Sequence, residues 1–352
     1  MLYISLSMRT YTTSFLFSLL LLSLFACKSN SSNNAEEKEE QQAETPITYT
    51  SAVEQYGQLH IDGNTIVDKN NQAVQLRGMS FFWSQWYGQF YRPEVVSWLQ
   101  KDWQCTIVRA AMAIDDDGGY VRNPEAEKEK IFTVIDAAIE AGIYVIVDWH
   151  SHHAESYLEE AKTFFSEVAS TYGHLPNIIY EPYNEPLDNV SWDSVIKPYH
   201  EEVIKTIRAI DPDNIIVCGN RSWSTQLQEV AENRIEDPNV AYTFHYYAAS
   251  HKQEMRDIVK QAVENNLPVF VTEFGVTEYT GNGSISEEET QLWWQLLDEY
   301  HISWCNWSIS DKEELSAALK PGASTTGGWK TSMLTTSGNM IRNELKAKNP
   351  KY

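Results

Sequence analysis

Two short apolar runs decide the fold: Thr106-Ile-Val-Arg-Ala-Ala-Met at residues 106–112 and Tyr144-Val-Ile-Val-Asp-Trp-His at residues 144–150. A helix candidate from Glu125 to Ala141 lies between them and is long enough to run back along a strand. Short β-branched runs that alternate with longer amphipathic stretches are typical of parallel strands linked by helices. This stretch therefore predicts a strand, a helix and a second, parallel strand of an α/β protein.

The same alternation continues over the rest of the chain. Further runs of the same character start at Gln75, Asn177, Asn214, Val240, Pro268 and Ser303, and a second helix candidate spans Trp192 to Ile210. Eight such units in one domain predict a closed (β/α)8 TIM barrel. An open doubly wound sheet is the alternative fold. Arg77-Gly-Met-Ser-Phe-Phe-Trp, however, lacks the glycine fingerprint that follows the first strand of a dinucleotide-binding sheet.

A hairpin is predicted ahead of the barrel. The segment Gln58-Leu-His-Ile-Asp-Gly-Asn-Thr-Ile-Val-Asp has a turn signal between two alternating runs. This pattern predicts an N-terminal β-hairpin that caps one end of the barrel. We expect the hairpin and the barrel to form one domain over residues 52–352.

Composition excludes several classes of protein. The 352 residues include 42% hydrophobic side chains, which is too apolar for a disordered chain. The 27 basic and 49 acidic side chains give a net charge of −22, so we expect no nucleic-acid partner. The four cysteines are irregularly spaced, which excludes a disulfide scaffold and a paired-cysteine zinc site.

The amino terminus is predicted to be an export signal. Residues 13–26 form an apolar run that is shorter than a membrane-spanning helix, and Arg9 supplies a positive flank. Either Met1 or Met8 could be the start. The run ends in Leu24-Phe-Ala-Cys27, which resembles the bacterial lipobox, so residues 1–27 are interpreted as a signal peptide with Cys27 as the lipidated residue. Ordinary secretion and a buried structural Cys27 are the alternatives.

A polar, acidic linker is predicted over residues 28–51, because no large apolar residue occurs in it before Ile47. The protein is therefore expected outside the cytosol, lipid-anchored on the bacterial outer membrane or cell surface, or otherwise secreted. In this interpretation the lipid anchor is its only contact with a membrane.

Two glutamates follow strands at the expected mouth of the barrel. Glu185 ends the fourth run and Glu273 ends the seventh, and active sites of such barrels lie at the carboxyl ends of the strands. Glycosidic cleavage needs two carboxylates there: one acid protonates the leaving oxygen, and the other acts as nucleophile or base. Glu181 is a competing carboxylate with the same strand parity as Glu185. It lies deeper along the strand, and we expect it to bond inside the barrel.

Aromatic residues crowd the same strand ends, as expected of a cleft that binds sugar rings through their apolar faces. We predict Trp86 and Trp307 as sugar platforms, and Trp149 and Trp304 as packing residues. Other aromatic residues near these strand ends are Phe82, Trp83, Trp223, Tyr246 and Tyr247.

Across residues 55 to about 345 the chain resembles bacterial endoglucanases of glycoside hydrolase family 5, a family of clan A. The matching stretches occur in the family's order. They are Arg77-Gly-Met-Ser, Gln85-Trp-Tyr-Gly, Val108-Arg-Ala-Ala-Met, Gly118-Gly-Tyr, Gly142-Ile-Tyr-Val-Ile-Val-Asp-Trp-His, Asn177-Ile-Ile-Tyr-Glu, Asn184-Glu-Pro, Lys197-Pro-Tyr, Phe244-His-Tyr-Tyr-Ala, Thr272-Glu-Phe-Gly, Asn306-Trp-Ser, Ser316-Ala-Ala-Leu-Lys-Pro-Gly-Ala and Thr326-Gly-Gly-Trp.

The resemblance implies a retaining, two-step mechanism with Glu185 as acid/base and Glu273 as nucleophile, and no metal or organic cofactor. We expect the negative charge of Glu273 to raise the pKa of Glu185, so that Glu185 begins the reaction protonated. The implied substrate is the internal β-1,4-glucosidic bond of cellulose-type or mixed-linkage β-glucan. Mannan or xyloglucan would be cleaved by the same two carboxylates.

Supporting residues follow from the resemblance and from charge. We expect Arg109 to lie near Glu273 and to keep it ionised, and Asn184 to bind the sugar 2-hydroxyl. The positions of His150, His245 and Tyr247 imply that they line the cleaving subsite and orient the glutamates, and that of Lys312 implies contact with a sugar hydroxyl. Many relatives carry a histidine after the first strand, whereas residues 80–85 here predict an apolar wall.

Two other functions remain open. The histidines at 150, 152 and 153, with His245, could be proposed as the metal site of a barrel metallohydrolase. A non-catalytic surface lipoprotein that captures glycans is the second alternative, although a pure binder has no use for two carboxylates at cleavage distance. The protein is expected to act as a monomer.

Overall fold

The computed structural model of the protein describes residues 48–115 and 117–352. The predicted export signal, Cys27 and the linker up to residue 47 lie outside the described residues. Within the described part, none of the helices combines the length and the apolar character that crossing a bilayer requires.

The predicted barrel is confirmed. Eight parallel strands pair in sequence order, and the last pairs with the first to close the sheet. The sixth strand is interrupted, so that it consists of β8 and a short continuation, β9. The barrel strands are β3 Arg77–Phe81, β4 Ile107–Ala113, β5 Tyr144–His150, β6 Ile178–Glu181, β7 Ile216–Cys218, β8 Val240–Thr243, β9 Tyr246–Tyr247, β10 Val269–Gly275 and β11 Trp304–Ile309.

Helices connect the strands, as the alternating pattern predicts. The helix predicted from Glu125 begins one residue earlier, with a proline in its first turn, and ends at Ala141. The second candidate divides into a π-helical turn, Trp192–Ile196, and a regular helix. The α-helices are α1 Ala52–Tyr56, α2 Ser84–Tyr87, α3 Pro93–Lys101, α4 Pro124–Ala141, α5 Leu158–Tyr172, α6 Lys197–Arg208, α7 Leu227–Glu232, α8 Gln253–Glu264, α9 Glu287–Glu299 and α10 Thr336–Lys348.

Strand parity separates the helix-facing core from the inside of the barrel. In β4, Val108, Ala110 and Met112 belong to the large cluster that packs beneath the helices. Ile107, two positions before Arg109, belongs to a second cluster inside the barrel. Because side chains alternate along a strand, Arg109 points into the barrel above this apolar layer.

The predicted hairpin is also present. β1 His60–Asp62 pairs with β2 Thr65–Val67 in antiparallel register. Leu59 and Ile66 of this hairpin belong to the apolar cluster inside the barrel. The hairpin therefore closes the end of the barrel opposite the strand carboxyl termini, where the glutamates lie.

An irregularity in β10 changes which side chains face inward. The register against β11 shifts between Val271 and Phe274. As a result, the neighbouring residues Thr272 and Glu273 both contact groups inside the barrel. A bulge of this kind re-aims a side chain that strict alternation would point outward.

Candidate active site

The two predicted glutamates meet at the carboxyl-terminal mouth of the barrel and line the same cleft. One oxygen of Glu185, one oxygen of Glu273 and one ring nitrogen of His245 all lie within 4.8 Å of one another. Glu273 is buried, and the Glu185 side chain is 14% exposed. Both carboxylates are therefore accessible from the cleft and close enough to act on one bond.

A single buried guanidinium connects the carboxylates below the cleft. Arg109 donates from Nη1 to Glu273 Oε2 at 3.0 Å, and its Nε lies 2.7 Å from Glu181 Oε2. Its Nη2 contacts Asn184 Oδ1 at 2.7 Å and Asp148 Oδ2 at 2.9 Å. The expected position of Arg109 near Glu273 is confirmed, and so is the expectation that Glu181 bonds inside the barrel.

Glu273 has a defined donor on each oxygen. The Tyr247 hydroxyl donates to Oε1 at 2.8 Å, and Arg109 donates to Oε2. Hydrogen bonds of this kind to an ionised carboxylate are short and strong. The structure thus places Tyr247 in contact with Glu273, one of the two glutamates that the resemblance implies it orients.

Glu185 lies between two imidazoles. His245 Nδ1 lies 2.8 Å from Oε1, and His152 Nε2 lies 3.1 Å from Oε2. Burial raises the pKa of Glu185, but the hydrogen bonds and charges of the two histidines outweigh it and hold this pKa below its ordinary value. The prediction that Glu185 has a raised pKa is therefore wrong for the free site, because the two histidines that contact its oxygens favour the ionised carboxylate.

His152, and not His150, contacts a glutamate. His150, the last residue of β5, has its Nδ1 2.6 Å from Asp148 Oδ2. Burial and then Arg109 lower the pKa of His150 to about 3, so the ring is neutral and lines the cleft stacked on Trp307 at 5.2 Å. The role assigned to His150 in orienting a glutamate is corrected: residue 152, which lies beyond the strand, has that contact.

The histidine run does not converge on one point. His150 contacts Asp148, His152 contacts Glu185, and His153 Nδ1 lies 4.0 Å from Glu155. The three rings thus face three different carboxylates, which removes the geometric basis of the metallohydrolase alternative. Among the described residues, the donors grouped closely enough for a cation are those of Glu185, His245 and Glu273, which belong to the hydrogen bonds above.

One half of the cleft is aromatic and lies beside β3 and β11. It is a cavity of about 360 Å³ whose lining includes the predicted platforms Trp86 and Trp307. Trp86 is 51% exposed, whereas Trp307 is almost buried and stacks on His150. Lys312 lines the same half, pairs with Glu314 and lies 4.9 Å above the ring of Phe82. Phe82 and Trp83 form the apolar wall that the sequence predicts.

The other half, a cavity of about 590 Å³, contains an aromatic residue that the sequence analysis did not select as a platform. Trp223 is 49% exposed and sits in a turn in which Ser222, Trp223 and Ser224 all have φ between 56° and 58°. Such conformations are costly for residues other than glycine and concentrate at functional sites. The Trp223 amide donates to Pro186 O at 2.9 Å, which ties the turn to the segment that carries Glu185.

Tyr279 was also missed. It lies in the loop after β10, is 70% exposed and lines both halves of the cleft. By contrast, the two indoles predicted to be packing residues, Trp149 and Trp304, are buried in the helix-facing core, and that prediction is confirmed. The sequence therefore identifies the aromatic residues near the barrel mouth. Their exposed fractions in the structure distinguish those that can contact a sugar from those that pack in the core.

Residues 67–313 match the family model described as Cellulase, glycosyl hydrolase family 5. Endoglucanase A of Evansella cellulosilytica is 44% identical over 343 residues, an alignment that covers 96% of this chain and 67% of that protein. Endoglucanase of Clostridium saccharobutylicum is 42% identical over 83% of this chain and 66% of its own length. This chain thus spans about two thirds of the length of these curated relatives.

A solved structure agrees with the fold. The catalytic domain of Thermobifida fusca endoglucanase Cel5A superposes with a TM-score of 0.81 at 38% identity. The match covers 84% of this chain and 99% of that domain.

Proposed function

This chain belongs to the cellulase family, glycosyl hydrolase family 5, and from that premise we propose that it is a retaining endo-β-1,4-glucanase. Glu273 is the nucleophile and Glu185 the general acid/base of a double displacement. The substrate is an internal β-1,4-glucosidic bond of a cellulose-type or mixed-linkage β-glucan. The curated relatives reported above, all endoglucanases by name, support this substrate class.

The separation of the two carboxylates carries the proposal. Oxygens of Glu185 and Glu273 lie within 4.8 Å of each other. Retaining glycosidases have carboxyl groups about 5–5.5 Å apart, whereas inverting enzymes need about 6.5–9.5 Å to hold a water between them. The short separation supports direct attack by Glu273 on the anomeric carbon and not by an interposed water.

The contacts of Glu273 suit a nucleophile. Arg109 and Tyr247 each donate to one of its two oxygens, so the carboxylate is fixed in orientation. Positioning of this kind contributes to rate because the reacting atoms are already aligned. Asn184 Oδ1 accepts from Arg109, which fixes the amide group, and we assign its nitrogen as the donor to the sugar 2-hydroxyl.

The contacts of Glu185 suit an acid/base that must gain and lose a proton. In the first step the proton passes to the departing glycosidic oxygen while Glu273 forms the glycosyl-enzyme bond. In the second step Glu185 takes a proton from the water that attacks the anomeric carbon, and Glu273 is released. His245 and His152 lie against its two oxygens and are placed to hold the proton between turnovers.

Aromatic residues on both sides of the glutamates support endo action. Trp86 and Trp307 lie on one side, and Trp223 lies on the other. A chain bound across the cleavage point would then contact an indole on each side, since pyranose rings stack on aromatic faces. The same arrangement would accept mannan or xyloglucan, which is the second candidate substrate class.

The proposal is tested with Glu185→Gln and Glu273→Gln on barley mixed-linkage glucan, carboxymethyl cellulose, mannan and xyloglucan. The matched control is Glu289→Gln, because Glu289 is also a carboxylate held by an arginine, Arg256, but lies on α9 outside the cleft. Both cleft variants are expected to lose glucan cleavage by several orders of magnitude, and the control is expected to keep it. A folded wild-type protein that cleaves none of the four polymers would favour a glycan-binding lipoprotein.

We also propose that the protein is exported as a monomer and anchored to the cell surface by a lipid on Cys27. The support for export and lipidation is the apolar run of residues 13–26, whose last residues, Leu24-Phe-Ala, are followed by Cys27. Radiolabelled palmitate should be incorporated into the wild-type protein in a bacterial host and not into Cys27→Ser. An unlabelled protein in the medium would show ordinary secretion instead.

A further inference from the structure

Thr272 lies at the centre of a buried hydrogen-bond chain that ends at the acid/base glutamate. Its Oγ1 is 2.6 Å from Glu181 Oε1, 2.6 Å from Thr243 Oγ1 and 2.9 Å from His245 Nε2. The other ring nitrogen of His245, Nδ1, is 2.8 Å from Glu185 Oε1. One hydroxyl therefore connects a structural carboxylate with the ring that touches the acid/base.

The donors in this chain can be assigned by counting hydrogens. A threonine hydroxyl has one hydrogen and two lone pairs. Both oxygens of Glu181 accept from Arg109, and Oε1 also accepts the hydrogen of Thr272. Thr243 accepts from the Thr272 amide at 3.3 Å and donates its own hydrogen to Thr272 Oγ1. The remaining lone pair of Thr272 must then accept from His245 Nε2.

The assignment fixes the tautomer of His245, because its hydrogen lies on Nε2 and Nδ1 faces Glu185. The short contact between Nδ1 and Oε1 then holds one proton, on either the ring or the carboxylate. We propose that Thr272, itself set by Glu181, is a positioning residue that makes His245 the proton store of the acid/base Glu185. This inference rests on the role proposed above for Glu185.

The proton balance of the cycle follows. In the first step the shared proton moves from His245 Nδ1 through Glu185 to the leaving oxygen as the bond from that oxygen to the anomeric carbon breaks. His245 is left neutral, with its hydrogen on Nε2, and Glu185 is left ionised. In the second step the attacking water gives its hydroxyl to the anomeric carbon as the bond from that carbon to Glu273 breaks. Its proton goes to the Glu185–His245 pair, which restores the starting state.

Several charged groups act on His245. Burial lowers the pKa of His245, but Glu185 and Glu273 outweigh both burial and the opposing charge of Arg109, so that this pKa is raised. These charges favour a proton shared by Glu185 and His245, but they do not determine which ring nitrogen keeps its hydrogen when the ring is neutral. The hydrogen bond to Thr272 places that hydrogen on Nε2. The charged groups that act on the ring are Arg109 on β4, Asp148 on β5, Glu181 on β6, Glu185 after β6 and Glu273 on β10. His152, after β5, contacts Glu185, and Tyr247 on β9 contacts Glu273.

The principal test is Thr272→Val, which keeps the shape of the side chain and removes the hydroxyl. Thr272→Ser should restore the chain. Thr243→Val is the matched control, since it removes a neighbouring hydroxyl and leaves the bonds from Thr272 to Glu181 and His245 in place. The readout is the pH profile of kcat/KM on barley glucan, compared with kcat/KM on 2,4-dinitrophenyl β-cellobioside, whose leaving group needs no acid.

In Thr272→Val the alkaline limb of the kcat/KM profile is expected to move to lower pH by about 0.5–1 unit. The reason is that the protonated ring of His245 loses the hydroxyl that accepts from Nε2, so its charged form is less stable. Glucan cleavage is expected to fall about ten- to a hundredfold, within the range of general acid catalysis, while the dinitrophenyl substrate changes little. Thr272→Ser and Thr243→Val should keep the wild-type limb. An unmoved limb in Thr272→Val, an equal loss on both substrates, or an equal shift in Thr243→Val would overturn the inference.

A measurement on the wild-type protein avoids any folding defect of the variants. In a spectrum that correlates ring nitrogens with ring protons, His245 should carry its hydrogen on Nε2 above the alkaline limb. A hydrogen on Nδ1 there would overturn the inference even if all variants misfold. Activity in Glu185→Gln and Glu273→Gln would instead overturn the proposed function, so the two failures are distinguishable.

Discussion

The replacement of Arg109 by lysine is the most informative perturbation of this site. The change keeps the positive charge and replaces a planar fork of five donors with one ammonium that has three. Arg109 is fully buried and contacts four acceptor groups at 2.7–3.0 Å, those of Glu181, Glu273, Asp148 and Asn184. A lysine ammonium cannot reach all four, so at least one buried acceptor is left unsatisfied.

The expected loss of stability follows from that count. An unsatisfied buried polar group costs about 1–3 kcal/mol, and more when it is charged. One or two such groups in Arg109→Lys should therefore lower the free energy of unfolding by about 2–5 kcal/mol. Glucan cleavage should fall as well, because Glu273 loses the donor to Oε2 that fixes its orientation.

Urea unfolding followed by tryptophan fluorescence measures the free energy of unfolding. The matched control is Arg342→Lys, because Arg342 also binds a carboxylate through two nitrogens, at 2.7 and 2.9 Å from Asp102, but its side chain is 20% exposed. The control should lose less than about 1 kcal/mol. An Arg109→Lys protein as stable as the control would refute the view that one guanidinium satisfies the buried carboxylates.

Four further outcomes are expected. Tyr247→Phe should lower kcat/KM about ten- to a hundredfold by removing a hydrogen bond to the ionised Glu273, whereas Tyr172→Phe, which loses a 2.9 Å bond to Asp136 between α4 and α5, should keep wild-type activity in the same assay. Trp223→Ala should raise KM on glucan about tenfold, because a stacked sugar would cover about 60 Å² of the exposed indole at about 25 cal/mol per Å²; an unchanged KM would remove Trp223 from the binding surface. Burial lowers the pKa of His200 from 6.5 to about 4, so the stability from its neutral ring is present above pH 6.5 and lost as the pH falls toward 4. Between pH 7 and 5 the wild-type protein should therefore lose about 2 kcal/mol more than His200→Gln in urea unfolding, and an equal loss in both would contradict this. Dialysis against EDTA should leave glucan cleavage unchanged, and activity that is lost and then restored by zinc would revive the metallohydrolase alternative.

The barrel and its mouth could be predicted because each strand shows a local pattern. The runs at 106–112 and 144–150 nearly coincide with β4 and β5, and the polar residue that ends a run lies at the mouth, as Glu185 and Glu273 do after β6 and in β10. Parity along β4 predicts which side chains point inward, including Arg109. The strands, their ends and their inward-pointing positions depend on residues that are close in sequence, so they can be predicted without tertiary information.

Other features of the site depend on contacts between distant segments. The bulge in β10 turns both Thr272 and Glu273 inward, although strict alternation would separate them. His152 reaches Glu185 because the chain turns after β5, and a family comparison of His150 gave no sign of this contact. The exposure of Trp223 depends on a left-handed turn at residues 222–224 whose amide bonds to Pro186 O. A sequence of serines around one tryptophan does not predict such a turn.

The central claim is that Glu273 forms a covalent bond with the sugar, while Glu185 donates a proton in the first step and accepts one in the second. The most direct measurement is mass spectrometry of the protein after incubation with 2,4-dinitrophenyl 2-deoxy-2-fluoro-β-cellobioside, because the fluorine slows release of the glycosyl-enzyme. We predict one fluorocellobiosyl group per protein on the peptide that contains Glu273, and no label in Glu273→Gln. A label on a different residue, or unlabelled wild-type protein that releases glucan products of inverted configuration, would contradict the account.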